Sequence, residues 1–222
     1  NRLPEDCNAF LKESGEIKGS LSKRHIDAAV ARCRSNGQIV TEGERVYSKK
    51  RYESEKTVAD ILRARIDVKS RYAAVPKEKI EACVAEIQEE LEVELDPLQR
   101  EAVEMALCNQ TSILTGGAGC GKTTTVRFII GVMEKLSKIC RISGVEIALA
   151  APTGMAAKRM KASTGKEAKT IHKLIEYNPA LPALTLNEDN PLPYDFVIVD
   201  ELSMVDIDTM AMLLRAVCSD TQ

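Results

Sequence analysis

Residues Ile113–Val126 read ILTGGAGCGKTTTV. Within them Gly116-Gly117-Ala118-Gly119-Cys120-Gly121-Lys122-Thr123 fits G-x-x-x-x-G-K-[ST] at every fixed position. The apolar lead-in Ser112-Ile113-Leu114 predicts a strand, and Val126, Phe128, Ile129, Ile130 and Val132 predict a helix behind the loop. Strand, glycine loop and helix form the context in which this motif cradles phosphates. The glycines let backbone N–H groups turn inward, and the helix N-terminus adds its partial positive charge at the same point. Gly116, Gly117, Ala118, Gly119, Cys120, Gly121, Lys122, Thr123 and Thr124 are therefore candidate nucleotide-binding residues. Lys122 would reach the β- and γ-phosphates, and the Thr123 hydroxyl would hold Mg²⁺.

Downstream, Glu146–Ala151 and Phe196–Val199 are short, nearly continuous apolar runs of the kind that parallel sheets bury. Helical patterns alternate with them, which predicts a parallel α/β sheet from Asp96 onward with helices on both faces. The second run ends in Asp200-Glu201, at the strand end where ligands of open α/β sheets bind. Asp200 is a candidate for the Mg²⁺ shell and Glu201 for the base that orients or deprotonates an attacking water. Alone, the pair also fits acidic residues in the first turn of a helix. Together with Lys122 it points to in-line hydrolysis of a γ-phosphate.

Between these elements lie Ala151–Met160 (APTGMAAKRM) and Ser163–Leu174 (STGKEAKTIHKL), where small and hydroxyl residues stand beside Lys and Arg. That composition suits a grip on a sugar–phosphate backbone, and it equally suits a capped helix. Upstream, Gln99 opens the helix pattern Leu98–Cys108 and can offer both faces of its amide to an adenine edge.

Gly116–Thr124, Ala151–Met160, Thr164–Leu174 and Asp200-Glu201-Leu202-Ser203-Met204 together resemble, in order, four motifs of the RecD family of superfamily-one helicases. Gln99 resembles that family's adenine-reading glutamine. Leu202 departs from the more usual alanine. The resemblance covers about residues 95–216 and implies a RecA-like lobe that uses ATP and Mg²⁺ to move on single-stranded DNA, typically 5′ to 3′. Carried over by position, Thr153, Gly154, Thr164, Thr170 and His172 become DNA-contact candidates, with His172 equally readable as a packing residue. DNA repair and recombination, with other repair subunits as further partners, follow from the same resemblance. Two rivals stay open: the helicase lobe of a conjugative relaxase, and a phosphate-loop ATPase switch that touches no DNA.

The N-terminal part resembles the free-standing RecD-like proteins more weakly. Lys23–Ser35 predicts a helix closed by Asn36-Gly37, followed by a hairpin of Gln38–Val40 and Arg45–Tyr47. These suggest a winged-helix-like module. Lys49, Lys50 and Arg51 after the hairpin read as a solvated corner, with phosphate contact as the alternative. Tyr52 to about Ser70 predicts a helix with Val58, Ile61, Leu62 and Ile66 on one face, and Lys77–Leu91 a second helix. Phe10, Leu11 and Ile17 are expected to pack, with Ser20 or Ser22 capping the first helix. The expected domains are 1–92, helical and winged-helix-like, and 93–222, the ATP-binding lobe.

Over 222 residues, 44% are hydrophobic and 29% charged, an ordinary globular composition, and the net charge of −2 gives no global basic field. Seven scattered cysteines without a C-x-x-C pair argue for reduced thiols in a cytoplasmic protein, and no apolar run reaches the ~20 residues of a membrane span. The absence of an initial methionine and of second-lobe motifs predicts a fragment that binds ATP–Mg²⁺ weakly and hydrolyses it little.

Overall fold

A computed structural model of the chain describes residues 23–117, 119–140, 145–181 and 185–222. The expectations for Phe10, Leu11, Ile17, Ser20, Ser22 and Ala118 lie outside the described residues. The contacts divide the chain into two compact units, residues 1–58 and 59–222. This division precedes the Glu92 boundary drawn from composition.

In the first unit, helix α1 (Lys23–Ser35) buries Ala29 and Cys33, four residues apart on one face. It stops where Gly37 takes φ +68°, a left-handed turn that a side chain would resist. Strands β1 (Ile39–Glu42) and β2 (Arg45–Ser48) pair antiparallel through a two-residue Gly43-Glu44 loop, tighter than the predicted four-residue connection. Cys33, Ile39 and Val30 make a small apolar cluster. Helix α2 (Lys49–Arg65) follows β2 without a gap, so Lys49, Lys50 and Arg51, all exposed, form its first turn. The Tyr52 hydroxyl donates to Glu42 at 2.8 Å, which fastens the helix to the ribbon and raises the phenol pKa.

The second unit is built around a sheet of three parallel strands, ordered β4 (Ala168–Thr170), β3 (Ile147–Ala151), β5 (Phe196–Val199). Ile147 lies opposite Phe196, and Ala151 opposite Thr170. Side chains alternate as the pleat dictates. Ile147, Phe196 and Ile198 face a cluster with α3 (Lys77–Leu91), α4 (Pro97–Cys108) and α5 (Lys122–Ile139). Ala148, Ala150, Val197 and Val199 face the other way, onto α7 (Ile171–Leu174) and α8 (Ile207–Ala216). Helices therefore cover both faces, with α6 (Gly154–Thr164) closing the Leu149 side through Met160. Phe128, Met133 and Leu136 of α5 are fully buried, each worth about 1.5–3 kcal/mol against exposure.

Helices α3 and α5 approach closely because position 131 is glycine. A Cβ there would lie 2.9 Å from Ile87 Cδ1. At the rim of the same contact, Lys135 Nζ donates to Glu86 at 2.8 Å and Glu90 at 2.7 Å.

Two expectations are corrected, the helix to Ser70 and the Ser112-Ile113-Leu114 strand. The helix predicted to Ser70 ends at Arg65, Ile66 is 70% exposed, and the buried residue of its last turn is Arg65. This guanidinium stays inside because it donates to the carbonyls of Cys218 (3.1 Å) and Thr221. Leu98, at the start of the Leu98–Cys108 helix pattern, is 74% exposed. Ser112-Ile113-Leu114 forms no strand among the described residues. A strand needs a partner, and the edge of β5 facing away from β3 is met by Gln222, which accepts from Val197 N (2.8 Å) and donates to the Asp195 carbonyl (2.9 Å). Within the segment read as a backbone grip or a capped helix, Ala168–Thr170 is a strand.

Candidate nucleotide-binding site

The phosphate loop lies between α4 and α5 and leads directly into α5. Asp96 caps α4 by accepting from Leu98 N (2.8 Å) and Gln99 N (3.0 Å), and the Gln99 side chain returns the bond by accepting from Asp96 N at 3.1 Å. This reciprocal box fixes the glutamine rotamer. Its Nε2 then donates to the Cys120 carbonyl at 3.2 Å, so the residue proposed to read adenine is also tied to the loop.

Two glycines shape the loop. Gly121 sits at φ +79°, and a methyl group there would run into the Gln99 amide; at Gly116 a methyl would collide with Cys120 Sγ. Lys122 folds back so that Nζ donates to the Gly116 and Gly117 carbonyls, each at 2.7 Å, with Cys120 Sγ at 3.7 Å. The ammonium thus occupies the mouth of the loop and holds it curled. Thr125, buried, donates Oγ1 to the Gly121 carbonyl at 3.2 Å and anchors the first turn of α5. Thr123, two residues earlier, is exposed. Val126 packs with Ile130, Leu149 and Met160, which seats the start of α5 on the sheet.

The carboxylates follow β5. Val199 pairs with Ala150, and Asp200 N donates to the Ala150 carbonyl at 2.9 Å, so Asp200 emerges at the carboxyl edge of the sheet. Its Oδ1 accepts from Glu201 N at 2.8 Å. Glu201 takes φ +53°, a left-handed conformation that costs a non-glycine residue about 1–2 kcal/mol. Such strain persists only where surrounding structure imposes it, and it concentrates at functional sites. Both carboxylates are exposed.

Among the described residues no group of three or more His, Cys, Asp or Glu converges on a metal position. The exposed Thr123 hydroxyl and Asp200 carboxylate are hard oxygen donors that fit Mg²⁺, a cation that ordinarily takes one or two protein ligands and fills its shell with water and phosphate oxygens.

The DNA-contact candidates divide. Thr153 caps α6 by accepting from Ala156 N at 3.2 Å, and Thr170 caps α7 by accepting from Lys173 N at 3.3 Å. Thr164 donates to the Met160 carbonyl at 2.7 Å. All three hydroxyls serve the fold locally. Gly154 and His172 are exposed. The Ala151–Thr170 pairing sets Thr153 and Thr170 at the same sheet edge as Asp200. Sequence reasoning missed Tyr177, whose ring stands edge-on to His172 with centroids 5.3 Å apart. Only its aromatic character, five residues past a histidine, could have flagged it.

Among the described residues no helix is long and apolar enough to cross a membrane. Comparison with known proteins gives a match of the AAA domain family to residues 99–222. The chain is 39% identical over 119 residues to the ATP-dependent RecD2 DNA helicase of Deinococcus radiodurans, covering 54% of this chain and 15% of that protein. It is 36% identical over 141 residues to the RecBCD enzyme subunit RecD of Mycolicibacterium smegmatis, covering 56% of this chain and 26% of the relative. For the RecD subunit of Haemophilus influenzae the values are 34% over 145 residues, 56% and 22%. The chain thus spans about a quarter or less of the length of these relatives. The RecD-like resemblance carried by the motifs is borne out.

Proposed function

Because the chain belongs to the AAA domain family, we propose that it forms the ATP-binding lobe of an ATP-dependent DNA helicase that moves on single-stranded DNA, 5′ to 3′. The observation that carries this reading is the alignment of three strand ends. Asp200, Thr153 and Thr170 leave β5, β3 and β4 at one carboxyl edge, so a hydrolytic carboxylate and the two Thr-led segments share one border of the sheet. The similarity to RecD2 and RecD proteins supports DNA as the track.

In this mechanism Gln99 orients the adenine, and the loop N–H groups and α5 N-terminus hold the phosphates. Arriving phosphate oxygens draw Lys122 Nζ off the Gly116 and Gly117 carbonyls, and the ammonium then stabilises charge on the β- and γ-oxygens. Thr123 and Asp200 would hold Mg²⁺, which would neutralise phosphate charge. Glu201 orients the attacking water and accepts its proton. Positioning and electrostatics account for most of the rate. Residues 93–222 act as the motor lobe, with 1–92 as an accessory region, and repair subunits are the class of partner.

The test is steady-state ATPase of the intact protein with and without single-stranded DNA, beside Lys122→Ala. Stimulation by DNA that vanishes in the variant is expected. ATP hydrolysis indifferent to DNA would favour the switch ATPase instead.

A further inference from the structure

Beyond the Thr and Gly positions, the segment after β4 carries a feature that phosphate gripping does not require. Helix α7 is a single turn, sealed underneath by Ile171, Leu174 and Ile175, all buried. It ends with Tyr177 N donating to the His172 carbonyl at 2.9 Å and Glu176 N to the Lys173 carbonyl at 3.4 Å. This reverse turn needs a left-handed residue, usually glycine. Here it is Glu176, at φ +55°. The strained turn brings Tyr177 back over His172, with the rings 5.3 Å apart at 62°. Both side chains are exposed, Tyr177 by 38%, and so are Lys169 within β4, Lys173 next to His172 in the chain, and Glu176 next to Tyr177.

Apolar burial does not explain an aromatic pair held in solvent at the cost of backbone strain. A flat exposed ring edged by a second ring, with exposed lysines at nearby chain positions, has the chemistry of a stacking platform for single-stranded nucleic acid: the rings would take the base and the lysines the phosphates. We propose that Tyr177, braced by His172, stacks an unpaired nucleobase of the strand on which the protein moves. This deepens the proposed function and rests on it. The base is read by its face, so the contact is indifferent to sequence.

The test uses the full-length protein and two fluorescent probes of equal length, an oligodeoxythymidylate and an all-abasic strand with the same phosphates. Wild type should prefer the oligodeoxythymidylate. Tyr177→Ala should weaken that probe by about 5- to 150-fold while leaving the abasic strand unchanged, and Tyr177→Phe should restore it. DNA-free ATPase monitors folding. Should the alanine variant misfold, Tyr177→Leu, which keeps apolar volume without a flat ring, decides by the same comparison. Equal weakening of both probes, or no weakening, overturns the stacking role while the helicase reading stands. Failure of wild type to bind either probe overturns both.

Discussion

The Gln99 amide donates to the Cys120 carbonyl at 3.2 Å while its oxygen accepts from Asp96 N at 3.1 Å. One side chain therefore joins the start of α4 to the phosphate loop. A primary amide has two donors and two acceptor sites, so each of these bonds uses one and leaves one for an adenine edge.

If that spare capacity reads the base, Gln99→Ala should raise KM for ATP and erode discrimination between ATP and GTP by roughly tenfold, the equivalent of about one hydrogen bond. Gln99→Glu keeps the acceptor of the capping box and loses the donor, so it should retain thermal stability better than alanine. KM measured for both nucleotides and a melting curve separate the two roles. Unchanged discrimination in both variants would leave Gln99 a helix cap alone.

Lys122 is half-buried, and its contacts are to loop carbonyls and one thiol, so Lys122→Ala should fold normally. Loss of the charge at the transferring phosphate should lower kcat by about 10²- to 10³-fold. A single-turnover assay beside a circular dichroism spectrum checks both halves of the statement.

Arg65 is 8% exposed, and burial lowers its pKa. Its guanidinium satisfies the carbonyls of Cys218 and Thr221, which alanine would leave without that donor. Arg65→Ala should destabilise the second unit by about 2–3 kcal/mol in urea titration. Arg65→Lys should recover only part of this, since an ammonium cannot present the same planar fork. A neutral alanine variant would show that water replaces the clasp.

Asp206 caps α8 by accepting from Asp208 N, Thr209 N and the Thr209 hydroxyl, and the Thr209 bonds hold its pKa below the ordinary 3.8. The folded form therefore prefers the carboxylate. This contribution is fully present above pH 3.8 and disappears as pH falls through the lower folded value. Asp206→Ala should cost about 1 kcal/mol at neutral pH, and its stability gap to wild type should shrink at acid pH. A gap that stays constant between pH 7 and 3 would contradict the shift.

The parts of the molecule legible in the sequence are those that repeat a period long enough to show. Lys77–Leu91 and the long helix after the phosphate loop carry four or more turns of pattern, and β3 and β5 are unbroken apolar runs. The glycine loop is legible because its fixed spacing follows from phosphate geometry. What escaped depends on partners far away in the chain. Arg65 is buried only because carbonyls more than 150 positions later receive it, and hydropathy points to Ile66 instead. Strand β4 is three residues with a lysine at its centre, too short for alternation to register. Ser112-Ile113-Leu114 has strand composition but no described neighbour to pair with, and Thr153 and Thr170 combine capping with candidate contact in a way composition cannot separate.

The strand order β4-β3-β5 also bears on how the molecule assembles. Helices α3, α4 and α5 meet through neighbours close along the chain, whereas β3 acquires β5 only after a long intervening segment has been closed into a loop. Loop-closure entropy delays such pairings. Pulsed hydrogen exchange during refolding should therefore protect the amides of α5 before those of Phe196–Val199. The growing molecule would be able to grasp a phosphate before it could cut one.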